Sequence, residues 1–272
     1  MSDTNKAMQM SKIKFSVIIP TCDRPLLLKK TLKSVFSQVL EPFEILIIDN
    51  GAKQIEVEIF KQDKKIRYIR ALPRIGVAQA RNIGICLATG DYIAFLDDDD
   101  TWDKDYLKEV ADTVTKTSAA VVLGSVKILE TRKLWKSKSG PIKSVEHFKR
   151  QLLITNPGAL GSNLTVERKL ILASPGFDPF LIPGEDRGLV FELLSNYGAK
   201  VARAEKAFTY YRTIVRGVRL TNRNTLVKDK ARFLLKYWGV MDFKIRFIVL
   251  VRLLKQTIKN ILGVDYIRKR DE

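Results

Sequence analysis

Apolar runs alternate with helix-patterned segments through the first hundred residues of the chain. Four short, nearly continuous apolar runs predict strands that are buried on both faces, at Phe15–Pro20, Phe43–Asp49, Ile66–Ala71 and Tyr92–Leu96. Helical patterning predicts three intervening helices, at Pro25–Val39, Gln54–Lys61 and Val77–Thr89. Because this alternation requires a parallel, right-handed, doubly wound sheet, the pattern predicts an α/β fold.

The pattern is more mixed after residue 100. Helices are predicted at Trp102–Lys116, at Val145–Ile154 and from Glu185 onward. A strand is predicted at Ala119–Leu129, a strand edge running into a short helix at Thr165–Ala173, and edge strands at Val201–Ala204 and Phe208–Tyr211. The polar, basic and poorly periodic stretch Thr131–Lys149 predicts a mobile loop.

The C-terminal segment predicts an amphipathic helix with a cationic polar face. Its apolar positions recur at helical spacing, at Phe247, Leu250, Val251, Leu254, Ile258 and Ile261. The opposite arc carries Lys244, Arg252, Lys255 and Lys259. Such a helix suits an anionic membrane interface; the alternative is a helix packed on the rest of the protein with its charges in water. No window reaches the roughly 18 apolar residues of a spanning helix, so we expect a soluble or peripherally bound protein.

Charge is unevenly distributed along the 272 residues. The formal net charge is +18, and residues 206–272 hold 17 Lys and Arg against 5 Asp and Glu, a net of +12. This basic tail favours an anionic surface or polymer as partner. Cys22 and Cys86 fit a reducing cytosol. Residues 1–13 lack an apolar core, so we expect a flexible N-terminus without a signal peptide.

Four consecutive carboxylates, Asp97, Asp98, Asp99 and Asp100, follow the apolar run Tyr92–Leu96 directly. Like charges at this spacing repel one another unless a cation lies among them. Oxygen ligands of this kind favour Mg²⁺ or Mn²⁺, ions that proteins often share with substrate phosphates. The alternative is a solvated acidic loop or the first turn of a helix.

Other polar residues are predicted to reach the same edge of the sheet. Thr21 and Asp23 follow the first strand, and Asp49 ends the second. Ligands of open α/β sheets bind outside the carboxyl ends of the strands, where these residues converge with the acidic run. A Gly-rich phosphate turn is absent after the first strand, so a nucleotide site built from carboxylates would need a metal ion.

Several motifs in order resemble the family 2 glycosyltransferases of the GT-A fold. They are SVIIPTCDRP, FEILIIDNGA, GVAQARNIGICLATGDYIAFLDDDDTW, and Gly176-Phe177-Asp178 followed by Gly184-Glu185-Asp186. The resemblance covers about residues 14–212. It implies a Rossmann-like, mostly parallel sheet flanked by helices, with a nucleotide-binding half at 14–103 and an acceptor-binding half at 104–212. A basic loop and amphipathic helical tail at 213–272 would extend this domain.

The resemblance also implies how a nucleotide-diphosphate sugar donor would bind. Residues beside the nucleotide would be Pro20, Thr21 and Asp23, with Asp49 accepting a hydrogen bond from the base, which favours UDP. Asp97 and Asp98 would lie along the ribose and the metal, and Asp99 would ligate Mn²⁺ or Mg²⁺. Arg81 could add a phosphate contact; the alternative for Arg81 is a surface helix arginine.

For catalysis, the resemblance implies that Asp186 is the general base and that Glu185 orients the acceptor hydroxyl. One displacement would then invert the anomeric carbon. The expected enzyme is a hexosyl- or N-acetylhexosaminyltransferase, cytoplasmic and peripheral on the inner face of the plasma membrane. Its acceptor would be a lipid-linked glycan or a surface polysaccharide such as lipopolysaccharide; a variant would glycosylate a polyprenyl phosphate directly.

One departure from the family pattern leaves the third metal ligand open. Many members carry a His after a Tyr-Arg pair, where this chain has Tyr211-Arg212-Thr213, and we expect the lone His147 to be a surface residue. The stretch Arg212–Arg223 could close over the diphosphate with arginines, or be a solvated basic loop. The rival hypothesis is a catalytically silent relative that binds nucleic acid or acidic polymer through its basic face, although no nucleic acid is expected under the enzyme hypothesis.

Overall fold

The computed structural model describes residues 13–56, 64–181, 183–213 and 223–261, and in the last range the side chains of 230–258. In this part of the chain eight strands form one sheet, in the order β3-β2-β1-β4-β7-β6-β8-β5. The strands are β1 (Phe15–Thr21), β2 (Glu44–Asp49), β3 (Ile66–Arg70), β4 (Tyr92–Phe95), β5 (Thr101–Trp102), β6 (Val121–Ile128), β7 (Leu164–Glu167) and β8 (Val201–Tyr211).

Helices cover the sheet on both faces. They are α1 (Pro25–Phe36), α2 (Val77–Leu87), α3 (Tyr106–Thr117), α4 (Lys136–Ser139), α5 (Val145–Ile154), α6 (Arg168–Ala173), α7 (Glu185–Asn196), α8 (Arg223–Tyr237) and α9 (Phe243–Ile261). Successive residues of a strand point to opposite faces. In β1, Phe15, Val17 and Ile19 therefore join one apolar core while Ile18 joins the other, which explains the nearly continuous apolar run.

The predicted parallel sheet is confirmed for the first four strands. β1 pairs in parallel with both β2 and β4, and β2 pairs in parallel with β3. Thr21 is in register with Asp49, so the two strands end side by side. β7 is antiparallel to β4 and β6, which makes the whole sheet mixed but mostly parallel. Since β4 pairs with β7, both predicted halves contribute to one sheet, and the boundaries at 103 and 212 stay predictions.

Two local predictions are wrong, and a third is largely untested. Trp102 lies in the short strand β5, which pairs with Thr209 and Tyr210, so the helix begins only at Tyr106. The two predicted edge strands are one strand, β8, which lies between β6 and β5 with a register shift opposite Gly124. Residues 54–56 of the predicted helix Gln54–Lys61 are irregular, and its remaining residues lie outside the described part.

Hydrogen bonds attach the predicted loop Thr131–Lys149 to neighbouring strands. It contains α4, and the Ser139 hydroxyl accepts a hydrogen bond from Val126 N at 2.8 Å. Arg203 of β8 donates to the carbonyls of Lys138 and Pro157, both at 3.2 Å. The segment is therefore structured around α4, and its mobility stays a prediction.

The C-terminal helix α9 packs on the body of the protein through a face that the sequence pattern did not reveal. Ile245 is buried in the core shared with α2 and α7, and Val249 and Leu253 pack against that core. The predicted apolar stripe of the helix points outward, and Ile261 lies outside the described side chains. No helix in the described ranges combines the length and the hydropathy that crossing a bilayer requires.

Candidate active site

The carboxyl ends of β1, β2 and β4 meet at one edge of the sheet, and polar side chains converge there. Thr21, the last residue of β1, donates its hydroxyl proton to Asp98 Oδ2 at 2.8 Å. Thr31 of α1 donates to the main-chain oxygens of Asp98 and Asp100 at 2.9 and 2.7 Å. The acidic run is therefore held in place by two hydroxyl groups, one from β1 on the Asp98 side chain and one from α1 on the main chain.

The four aspartates alternate between the open side of this edge and the protein interior. The side chains of Asp97 and Asp99 are 29% and 20% exposed. Asp98 and Asp100 are buried at 5% and 1%. Asp100 accepts from the Ser162 hydroxyl at 2.5 Å and from Arg212 N at 2.8 Å. Identical residues thus divide into two that support the loop and two that can meet a ligand.

Arg24 is a cation within the acidic run that the sequence reasoning missed. Its Nη1 lies 3.2 Å from Asp98 Oδ1 and 3.1 Å from Asp99 Oδ2. The residue follows Asp23, whose φ of +56° turns the chain sharply after β1. The sequence did contain a signal for this contact. The arginine lies shortly after a predicted strand, and that strand was expected to end at the same edge of the sheet as the four carboxylates.

Burial and mutual repulsion raise the proton affinity of the acidic run. Burial raises the pKa of Asp98 to about 7, against the opposing effects of Arg24 and Thr21. Burial and the charge of Asp97 raise the pKa of Asp99. Burial and the neighbouring carboxylates hold the pKa of Asp100 well above its usual range. A divalent cation would relieve this repulsion, since carboxylates prefer to ionise next to positive charge.

The donor set for a metal ion at this edge is small. Asp97 and Asp99 offer exposed carboxylate oxygens, the ligand type that Mg²⁺ and Mn²⁺ prefer. In the described part of the chain no cluster of three or more acidic, His or Cys side chains is arranged to hold a metal. Two carboxylates fit an ion that takes its remaining ligands from phosphate and water. Asp98, which was predicted to lie along the metal, faces the protein interior.

Arg81 links the two sides of the site. Its Nη2 lies 2.5 Å from Asp97 Oδ1 and its Nη1 lies 2.9 Å from Glu185 Oε1. Although burial alone would lower it, these carboxylates keep the pKa of Arg81 above its usual value. The alternative of a surface arginine is wrong, because the residue is 2% exposed. The predicted phosphate contact of Arg81 and the predicted acceptor contact of Glu185 stay predictions, since the two side chains pair with each other here.

Asp186 lies beside this ion pair and is partly accessible. Gly184, at φ +128°, precedes the first turn of α7 and so places Glu185 and Asp186 at the start of the helix. Asp186 Oδ1 accepts a hydrogen bond from Arg187 N at 2.6 Å. Burial and the adjacent charge of Glu185 raise the pKa of Asp186 to about 7, against the effect of Arg81. A carboxylate with this pKa suits proton abstraction near neutral pH.

The residues predicted for nucleotide binding at β1 and β2 are engaged with the protein. Asp49 is fully buried and accepts from Tyr68 Oη at 2.5 Å and from Gly51 N at 2.8 Å. Arg70 Nη1 lies 3.0 Å from its Oδ2. Asp23 Oδ1 accepts from Ala52 N at 2.8 Å. Nucleotide contacts by Asp23, Asp49, Thr21 and the buried Pro20 stay predictions.

Asp23 has a distinct role in loop structure. A main-chain hydrogen bond from Lys53 is the largest of the effects that lower the pKa of Asp23. Desolvation opposes it, and a hydrogen bond from Ala52 N and the charge of Arg74 lower the pKa further. Arg74 Nη2 lies 3.2 Å from Asp23 Oδ2. The carboxylate therefore holds the turn after β2 against the turn after β1. The predicted contact between Asp49 and the base would depend on these two turns staying together.

The end of β8 completes the edge. Arg212 donates through Nε to the carbonyl of Asp99 at 3.0 Å, so this arginine of the predicted basic stretch does reach the acidic run. Thr213, at the position where many relatives carry His, hydrogen-bonds to Glu130. His147 is exposed on α5, which confirms a surface residue. Arg216 and Arg219 lie outside the described residues.

Comparison with known proteins supports a single family for this fold and site. The family model described as "Glycosyl transferase family 2" matches residues 16–171, more than half of the chain. An uncharacterized glycosyltransferase of Rickettsia conorii is 41% identical over 111 residues, which cover 40% of this chain and 18% of that protein. The amylovoran biosynthesis glycosyltransferase AmsB of Erwinia amylovora is 35% identical over 106 residues, 37% of this chain and 35% of AmsB. The chain thus spans well under half the length of these relatives.

A solved structure shares the architecture over nearly the whole chain. S. aureus TarS in complex with UDP-GlcNAc superposes with a TM-score of 0.68 at 17% identity, covering 93% of this chain and 77% of that one. At this identity the likeness concerns the fold. It confirms the predicted GT-A type of α/β architecture.

Proposed function

Because the chain belongs to glycosyl transferase family 2, we propose that it moves one sugar from a UDP-sugar to a hydroxyl of a polysaccharide or lipid-linked glycan, with inversion. The observation that carries this proposal is the pair of outward carboxylates, Asp97 and Asp99, joined through Arg81 to the α7 carboxylates. One side of this arrangement suits a metal-bound diphosphate. The other suits a base.

A UDP donor is favoured by two considerations. The structural relative TarS was solved with UDP-GlcNAc, and its fold matches this chain. The second consideration is the predicted base contact of Asp49, whose carboxylate is paired with Tyr68 and Arg70 in this structure and would exchange one of these partners for a uracil N–H. The polysaccharide acceptor is favoured by the likeness to AmsB, an amylovoran biosynthesis glycosyltransferase.

In the proposed mechanism Asp97 and Asp99 would hold Mn²⁺ or Mg²⁺ together with the donor diphosphate. The ion would supply electrostatic stabilisation of the leaving nucleoside diphosphate. Arg24 lies within 3.1 Å of Asp99 and so competes with such an ion for the same carboxylate. We expect its guanidinium to turn toward the phosphates, where a cation assists departure.

Asp186 would remove the proton of the acceptor hydroxyl as that oxygen attacks the anomeric carbon. Its partial accessibility and its pKa of about 7 support this role. Glu185, in the same helical turn as Asp186, is paired with Arg81 of α2, so it would act on the acceptor only indirectly, by fixing the start of α7. A single displacement with one base inverts the anomeric configuration.

Calorimetric titration of UDP, GDP and dTDP with and without Mn²⁺ tests the donor site. We expect Mn²⁺-dependent binding of UDP, weakened about tenfold or more in Asp99→Asn because a metal ligand is lost. Asp91→Asn is the matched control, since Asp91 stands before β4 at the opposite end of the strand. Binding of none of these nucleotides, or equal binding by both variants, would contradict the proposal and favour the catalytically silent hypothesis.

A further inference from the structure

We propose that helix α9 docks the protein on the surface of an anionic lipid bilayer. Five large apolar side chains of this helix face away from the protein in one stripe. Their exposed fractions are 84% for Phe243, 61% for Phe247, 46% for Leu250, 60% for Leu254 and 45% for Ile258. We call these five residues the outer stripe. Contiguous exposed apolar surface of this kind marks an interaction site rather than ordinary surface.

The helix is fixed so that the outer stripe cannot turn inward. Ile245 is 2% exposed, and Val249 and Leu253 pack against the same core, which anchors the opposite side of the helix. Asp242 caps the start of α9 by accepting from Ile245 N at 2.8 Å, and Arg150 of α5 lies 2.8 Å from its other carboxylate oxygen. Burying the outer stripe therefore requires a partner outside the described part of the chain.

Cations border the outer stripe at the height where lipid headgroups would lie. Lys244 and Lys255 are exposed, and each follows a stripe residue by one position, which turns it about 100° around the helix. Arg252 lies further round the helix, away from the outer stripe, where it is exposed and donates to the carbonyl of Ile154 at 3.0 Å. An apolar stripe with a basic border is the pattern of helices that lie in the plane of a membrane interface.

Charge favours a bilayer over a second copy of this chain. The sequence of α9 contains five basic residues and no Asp or Glu, so two such helices packed stripe to stripe would bring their cations together without acidic partners. Anionic lipids supply the missing negative charge, and each Lys or Arg near such a surface strengthens binding about fivefold. Asp242, which directly precedes the helix, is already paired with Arg150.

Vesicle co-sedimentation with the full chain tests this proposal. We expect binding to vesicles of phosphatidylglycerol and phosphatidylcholine, weak binding to phosphatidylcholine alone, and release by salt. The double variant Phe247→Gln/Leu254→Gln should bind about tenfold more weakly or worse, since two apolar anchors are lost. Leu26→Gln/Leu72→Gln is the matched control, because these leucines are 78% and 75% exposed elsewhere.

The outcomes separate this proposal from its rivals and from the proposed enzyme activity. Equal vesicle binding by both double variants, or no binding by the parent protein, would overturn it. The proposal would also be overturned if sedimentation velocity showed a dimer that is lost only in the Phe247→Gln/Leu254→Gln variant, because the outer stripe would then contact a second copy of the chain. UDP binding should be the same in all these proteins, so a failure of the donor site would not be mistaken for a failure of docking.

Discussion

Four identical residues in a row acquire different properties from their surroundings. Asp98 and Asp100 turn inward to hydroxyl, guanidinium and main-chain donors, whereas Asp97 and Asp99 face the open edge of the site. The acidic run is a turn closed by a hydrogen bond from Asp100 N to the carbonyl of Asp97 at 3.1 Å, and within this turn buried and partly exposed side chains alternate. A substitution of one aspartate is therefore not equivalent to a substitution of the next.

Asp186 should give the reaction a specific pH dependence. As a base it must be ionised, and its pKa is raised to about 7, so the rate of UDP release from the sugar nucleotide should rise from pH 6 and level off above pH 8. In Asp186→Asn we expect kcat to fall by about 10² or more without this pH dependence. Asp112→Asn on α3 serves as the control. A flat profile in the parent protein would rule out Asp186 as the base.

Gly161 is the residue that leaves room for Arg81. A Cβ added at Gly161 would collide with the Arg81 guanidinium and lie 3.3 Å from Asp97 Oδ1. Arg81 is buried and paired with two carboxylates, so it cannot move aside cheaply. We expect Gly161→Ala to reduce the free energy of unfolding by about 1–3 kcal/mol and to weaken Mn²⁺-dependent UDP binding.

The matched control for that substitution is Gly239→Ala, where an added Cβ would meet no atom within 4 Å. Urea unfolding and calorimetry should leave this control close to the parent protein. If Gly161→Ala behaved like the control, Arg81 would not be held as tightly as its two ion pairs indicate.

At the scale of elements, α9 has two apolar faces with different roles. The periodicity of the sequence revealed the outer stripe because its residues recur along most of the helix. The inner face rests on Ile245, Val249 and Leu253, and it became visible only when the helix was placed against the core. The alternative in which the helix packs on the protein is therefore confirmed for the inner face, whereas membrane contact by the outer stripe stays a proposal.

The two faces should respond differently to the same type of substitution. Ile245→Ala removes a buried side chain and should lower the free energy of unfolding by about 2–4 kcal/mol. Phe247→Ala, two positions away on the exposed side, should change it by less than about 1 kcal/mol. Urea unfolding measures both. Similar losses in the two variants would show that the outer stripe is covered by the chain itself.

At the scale of the whole molecule, the site spans the two predicted halves. Arg81 comes from α2 of the nucleotide-binding half, and Glu185 comes from α7 of the acceptor-binding half. Buried charge is concentrated where they meet, with carboxylates whose pKa values are raised above those of an unfolded chain. Such groups destabilise the folded state once they ionise.

Stability should therefore fall as pH rises between about 5 and 8 in the absence of metal. The folded protein keeps a proton on Asp98 up to about pH 7, whereas the unfolded chain releases it near pH 4, so the folded state binds more protons in this window. In Asp98→Asn the loss should be smaller by roughly 2 kcal/mol. Urea unfolding at about pH 5 and about pH 8 measures this loss in the free energy of unfolding. An identical pH dependence in the variant would assign the effect to other groups.

The sequence by itself determined the four parallel strands of the first half, the family and the edge of the sheet where the acidic run lies. These depend on local patterns, namely apolar runs, helical spacing and motifs read in order. The tertiary structure decided which aspartates face outward, that Arg81 and Glu185 pair, and which face of α9 is anchored. Those outcomes depend on contacts between residues far apart in the chain, such as Arg24 with Asp99 and Arg81 with Glu185. Local periodicity carries no information about such contacts, because it is the packing of distant elements that brings these charges together.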